Sequence, residues 1–169
     1  PVVSSAASDV YKRQVLLYGY GSYGNSMSPN FSSTRLSLIN RDIIWVTAHI
    51  RGGLERGMKW WKEGKLLNKK NTFKDYLAVA KFLIEKKYTS TGKIVGMGGS
   101  AGGLLMGVAV NESPELFCAV VMAVPFVDSL TTNLDHSLPL TIGEFDEFGN
   151  AQDNEAVSYT HLTLPTKQP

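Results

Sequence analysis

Four short apolar runs punctuate the chain, each closed by glycine, proline or a polar turn. Val15-Leu16-Leu17-Tyr18 enters the glycine-rich loop Gly19–Gly24, and Ile43–Ala48 ends at the polar turn His49–Gly53. Lys93–Met97 meets a glycine cluster, and Cys118–Val124 stops at Pro125. Runs of this length between such breakers predict strands. Between the second and third, Phe73, Tyr76, Leu77, Ala80, Leu83 and Ile84 recur at helical spacing and define one apolar face. Thr72 followed three residues later by Asp75 has the form of a capping box and predicts a helix start at Thr72. A further helix is predicted over Gly103–Val110. Continuously apolar strands alternating with helices predict an α/β fold with a mostly parallel sheet and helices on both faces. Ligands of such sheets bind outside the carboxyl ends of the strands. The loops beginning near Gly19, His49, Gly98 and Pro125 all fall at that edge.

The third of those loops carries chemistry. Gly98-Gly99-Ser100-Ala101-Gly102 fits G-x-S-x-G, the pattern of a serine held on a sharp strand-to-helix turn. Such a turn forces an unfavourable backbone conformation on the serine, so its neighbours must lack bulk for strand and helix to approach. The first amides of the following helix point at the place where an oxyanion would form, with the Ala101 N–H as the expected donor. A glycine-rich turn that merely links strand to helix would carry the same five residues. The strand before and the apolar helix after are the context that separates the two readings.

The two ends differ from the middle. Pro1–Gln14 is small and polar, and Val157–Pro169 carries threonines and prolines without helical or strand period. Asp9–Gln14 can be written in codons whose reverse complement, in a shifted frame, reads Val157-Ser158-Tyr159-Thr160-His161, and the relation continues outward to both termini. Both ends resemble translated sequencing adaptors, so 1–14 and 157–169 are expected to be non-native segments flanking a partial domain over 15–156. Tyr159 and His161 then have no functional meaning.

Setting the ends aside changes the charge. The whole chain has 17 basic and 15 acidic residues, and removing Lys12, Arg13, Lys167 and Asp9 leaves 14 of each. A near-neutral middle gives no case for nucleic acid or an anionic membrane as partner. No apolar run approaches the length that spans a bilayer. Cys118 is the only cysteine, so no internal disulfide is possible, and its apolar neighbours predict a buried small hydrophobe.

Several motifs converge. Leu17-Tyr18-Gly19-Tyr20-Gly21, Ala48-His49-Ile50-Arg51-Gly52-Gly53, the stretch Gly64–Phe73, and Gly98–Leu105 resemble the catalytic domain of prolyl oligopeptidase-type serine peptidases. Val124–Asp128 and Leu138–Asn150 are similar to the oligopeptidase B group within that family. The resemblance implies a partial α/β-hydrolase domain, normally paired with a β-propeller that restricts access to short peptides. It also implies cleavage after Arg or Lys, with no metal or organic cofactor. Ser100 matches the nucleophile. Tyr20 matches the residue whose hydroxyl joins the amide after the serine in the oxyanion hole. Phe126 and Glu144 match the residues holding the basic P1 side chain, with Asp146 at the second acidic position. Leu54 stands where a third glycine is usual. The triad acid and histidine follow the serine in chain order, and the resemblance places both beyond the segment present here, together with the propeller.

The remaining candidates read as structural. His49 precedes the elbow, the wrong order for this fold's base, and His136 lies in a loop near the acidic segment. Asp128 is expected to be structural. Glu144, Asp146 and Glu147 could form an ordinary solvated turn; the resemblance singles out Glu144. The expected function is therefore a serine endopeptidase acting on short peptides at basic residues, with the isolated chain inactive. Two alternatives stand beside it: an esterase or acylaminoacyl-peptidase using the same elbow, against which the acidic segment argues, and a non-catalytic fragment that binds peptides.

Overall fold

The four apolar runs form four parallel strands. A computed structural model describes residues 13–135, 137–139, 141–153 and 157. In chain order these hold β1 (Val15–Tyr18), α1 (Ser33–Ile39), β2 (Ile44–Thr47), α2 (Met58–Lys62), α3 (Lys70–Glu85), β3 (Ile94–Gly99), α4 (Ala101–Glu112), β4 (Phe117–Ala123), α5 (Ser129–Leu134) and α6 (Thr141–Phe148), with single 3-10 turns at Leu66–Asn68 and Pro114–Leu116. The strand order is β2-β1-β3-β4. β1 is central, pairing in parallel with both β2 and β3, and β4 pairs with β3.

Parity along the strands assigns the two faces. Val15 and Leu17 stand in register with Ile44 and Val46 on one side and with Ile94 and Gly96 on the other. That face carries the core, where Val15, Leu17 and Ile94 pack with Phe73, Tyr76, Leu77, Ala80 and Leu83 of α3 and with Leu104, Leu105, Met106, Val108 and Ala109 of α4. The helical spacing seen in the sequence is thus the buried side of α3. The Tyr76 hydroxyl reaches the sheet itself, donating to the Leu17 carbonyl at 2.8 Å. Burial pushes its pKa up, which keeps it a neutral donor. The opposite face presents Leu16, Tyr18, Trp45, Val95 and Met97. There the Tyr18 and Trp45 rings stack at 6.1 Å, and Arg35 of α1 lies 4.8 Å over Trp45. Helices therefore cover both faces, as the alternation predicts.

α4 is apolar around its whole circumference over Ala101–Ala109, all of it buried, the mark of a helix surrounded by protein. Leu104 is fully buried at its centre. Leu104→Ala is expected to cost about 2–5 kcal/mol, the range for removing a packed leucine side chain, measured as a lowered urea midpoint at unchanged slope.

Two expectations require correction. The capping box is not formed: α3 starts at Lys70, and no side chain caps its N-terminus. The Thr72 hydroxyl instead donates to the Arg51 carbonyl at 2.8 Å, with the Gly64 carbonyl 3.1 Å away. Asp75 takes the Arg51 backbone N–H at 3.0 Å and its guanidinium at 2.7 and 2.5 Å. Both side chains are spent on pinning the loop after β2, because a buried loop's polar backbone groups need partners more than an exposed helix end does. Cys118 is exposed, its thiol 3.4 Å from the Ile94 carbonyl. Strand β4 has only Phe117 fully buried and lies at the margin of the described sheet, so its side chains lack the cover that a central strand has. At the N-terminal boundary, Thr89 donates to the Arg13 carbonyl at 2.8 Å and Ile44 to that of Gln14 at 3.0 Å, so the packed unit includes these two residues. The rest of 1–14, and all of 157–169 except Val157, lies outside the described residues.

Candidate active site

One residue separates β3 from α4. Ser100 has φ 52° and ψ −119°, a positive φ that a residue with a Cβ adopts only when its surroundings impose it. The surroundings are visible. The Ser100 N–H donates to Ala123 at the end of β4 (2.9 Å), while its carbonyl accepts from Gly103 (2.8 Å) and Phe126 (2.9 Å). Bulk is excluded on both sides: a Cβ on Gly98 would sit 2.2 Å from the Gly102 carbonyl oxygen, and one on Gly103 would sit 2.5 Å from Pro125. The serine side chain is left exposed at the carboxyl edge of the sheet. Ala101 opens α4, so its N–H is among the first amides of a helix, which have no acceptor within it.

The loop after β1 meets this turn. Tyr20 is half-buried and lies against Gly102 of the turn, where a Cβ on the glycine would meet its ring at 3.4 Å; burial raises the Tyr20 pKa, and the nearby Ser100 side chain partly opposes the rise. A neutral phenol beside the serine is a hydrogen-bond donor for whatever negative charge develops there.

α6 brings the acidic segment to the same loop. The Tyr23 hydroxyl donates to Glu144 Oε2 at 2.7 Å. Burial holds the Glu144 carboxyl above the ordinary range; the Tyr23 bond lowers it, Glu147 raises it and Lys69 lowers it. Tyr23 is itself pushed up, first by burial and then by its bond to Glu144. Aromatic rings connect these groups to the elbow: Tyr20 to Tyr23 (6.2 Å), Tyr23 to Phe148 (5.9 Å) and Phe148 to Phe126 (5.5 Å). Phe126, whose amide holds the Ser100 carbonyl, is half-buried with its ring against Phe148.

The acidic segment divides by helical phase. Glu144, Glu147 and Phe148 are three and four residues apart and face inward, whereas Asp146 is exposed on the outer side of α6. Glu147 is not solvated at all. Its Oε1 accepts from Lys69 Nζ at 3.0 Å and its Oε2 from Trp61 Nε1 at 3.1 Å. Sequence reasoning missed Lys69, Glu147 and Tyr23. The partners of the buried ion pair lie 78 residues apart, and no periodicity links residues at that distance.

Other candidates lie elsewhere. His49 is exposed with Nε2 2.9 Å from the Met27 carbonyl, and His136 is outside the described residues. Asp128 caps α5, accepting from the Thr131 N–H at 3.1 Å. Leu54 sits 37% exposed in a loop whose Glu55 accepts from the Met27 N–H at 2.9 Å. Among the described residues no helix is long and apolar enough to cross a membrane.

The profile of the prolyl oligopeptidase family matches residues 29–165. The chain belongs to that family. It is 51% identical over 151 residues to Protease 2 of Moraxella lacunata, covering 89% of this chain and 22% of that protein. It is 48% identical over 148 residues to dipeptidyl aminopeptidase BI of Pseudoxanthomonas mexicana, covering 88% of this chain and 20% of that one. Among solved structures, oligopeptidase B from Leishmania major superposes with a TM-score of 0.83 at 47% identity, covering 88% of this chain and 21% of that one. The chain thus spans about a fifth of the length of these relatives.

Proposed function

We propose that this chain carries the nucleophile, oxyanion hole and P1 pocket of a serine oligopeptidase that cleaves short peptides after Arg or Lys. The observation that carries the reading is Ser100: an exposed residue on a positive-φ turn between strand and helix, with Tyr20 packed against Gly102 of the same turn. Ser100 Oγ attacks the scissile carbonyl carbon while a general base takes its proton. The carbonyl oxygen, now an oxyanion, is held by the Tyr20 hydroxyl and the Ala101 N–H. Collapse breaks the C–N bond, the proton passes to the leaving amine, and water hydrolyses the acyl-enzyme by the same steps. No metal or organic cofactor is called for. The P1 cation lies against Phe126 with its charge on Glu144; Asp146, facing outward, serves at most as a distant contributor to the field.

His49, the one histidine among the described residues, is committed to the Met27 carbonyl. The triad base and acid, and a propeller, belong to the rest of a family catalytic unit of which this chain spans about a fifth. The reading is tested in a chimera in which residues 15–153 replace the matching segment of the Moraxella lacunata relative. Tyr20→Phe there is expected to lower kcat about 10²–10³-fold with little change in KM, the signature of one lost oxyanion donor. A fall in KM alone, or no change, would remove Tyr20 from the mechanism.

A further inference from the structure

The buried pair of Lys69 and Glu147 has a place in the site that its chemistry does not explain by stability alone. Their side chains are 1% and 3% exposed. Lys69 Nζ donates to the Gly21 carbonyl (2.9 Å), to Ser22 Oγ (2.6 Å) and to Glu147 Oε1 (3.0 Å). An ammonium has three protons and no more, so no donor is left for a substrate. Its Nζ lies 4.9 Å from the centre of the Phe148 ring. Burying two charges costs desolvation that their attraction barely offsets, and apolar replacement of such pairs is often neutral for stability. A pair kept at that cost is better explained by what it fixes in place.

What it fixes is on both sides of the site. Gly21 and Ser22 are the two residues between Tyr20 and Tyr23, so the ammonium grips the oxyanion loop between its two functional hydroxyls. Glu147 is one helical turn after Glu144 on the same face of α6. Burial lowers the Lys69 pKa and the Glu147 charge opposes that fall. Resting on the function proposed above, we propose that Lys69 and Glu147 are positioning residues: one ion pair sets the oxyanion loop and the P1 helix in register, placing Tyr20 at Ser100 and Glu144 at Tyr23 together.

The test replaces both charges at once, Lys69→Met with Glu147→Gln, so that no unpaired buried charge remains and Trp61 keeps an acceptor. In the 169-residue chain, hydroxyl exchange is read by NMR on labelled tyrosines, with Tyr76, bonded to Leu17 inside the core, as the internal standard of folding. The expected result is exchange at Tyr20 and Tyr23 faster by roughly tenfold or more, the loss of about one hydrogen bond's net worth, with Tyr76 unchanged. Tyr76 unchanged and both site tyrosines unchanged overturns the proposal. If the double variant loses the Tyr76 signal, Ser22→Ala removes one acceptor of Lys69 and decides instead: Tyr20 and Tyr23 at wild-type exchange overturn the proposal, and acceleration supports it. In the chimera, the double variant is expected to lower kcat/KM at an Arg P1 about 100-fold or more and to reduce the preference for Arg over a neutral P1. A purely structural pair would lower thermal stability and leave that preference intact. Tyr20→Phe and Glu144→Gln run alongside: if these two fail to alter turnover, the proposed function is at fault, whereas normal responses from them with a silent, folded double variant refute the positioning role.

Discussion

Ser100→Ala in the chimera is expected to lower kcat on an Arg-containing peptide by about 10⁶-fold, the loss typical of removing a triad nucleophile. The residual rate belongs to the oxyanion hole and substrate binding, which survive the change. The unmodified 169-residue chain is expected to show almost the same deficit. A serine hydroxyl with no general base beside it stays protonated and is a weak nucleophile, however well its oxyanion donors are placed. The two experiments together separate nucleophile from base. Turnover by the 169-residue chain that Ser100→Ala abolishes would show a base within it. Turnover by the chimera that survives Ser100→Ala would remove Ser100 from the chemistry.

The parts of this site that the sequence made legible are those encoded locally. The elbow could be read because its requirement for small residues is met by five consecutive positions, and strand, turn and helix adjoin. The inward face of α3 could be read because burial there follows a 3.6-residue period. What escaped is long-range and polar. Tyr23 meets Glu144 across 121 residues and Lys69 meets Glu147 across 78; each looks locally like an ordinary loop or surface residue. The capping box failed for the same reason: Thr72 and Asp75 have the right spacing, but the polar backbone of the loop after β2 competes for their side chains. Cys118 was misread because a run of apolar residues predicts a strand well but says nothing about which neighbours will cover it.

Glu144→Gln in the chimera should weaken cleavage after Arg and Lys far more than cleavage after an uncharged residue. The P1 cation gives up water on entering the pocket, and a neutral amide cannot replace the charge pairing. Truncating one partner of a buried, hydrogen-bonded charge pair costs about 2–5 kcal/mol, a drop of roughly 30- to several-thousand-fold in kcat/KM. Arg should lose more than Lys. Tyr23 occupies one lone pair of Oε2, which leaves a second on that oxygen and both on Oε1, so a guanidinium can still address the two oxygens together while an ammonium meets one. Asp146→Asn should have a much smaller effect, since Asp146 faces solvent from the other side of α6. The pH dependence follows from the direction of the Glu144 shift. Burial raises its pKa, so the charged pocket forms at a higher pH than an exposed glutamate would require. Activity on an Arg P1 should therefore rise with pH along a limb that a neutral P1 substrate lacks and that Glu144→Gln abolishes. Stability runs the other way: a carboxyl whose folded pKa is raised contributes below its unfolded pKa and loses that contribution as pH climbs through the folded value. A P1 cation beside Glu144 favours the charged carboxylate and should lower the Glu144 pKa on binding. A series of kcat/KM values against pH, on matched Arg, Lys and neutral P1 peptides, reads all of these effects. Equal losses on all three substrates after Glu144→Gln would make Glu144 a structural residue and refute the P1 assignment.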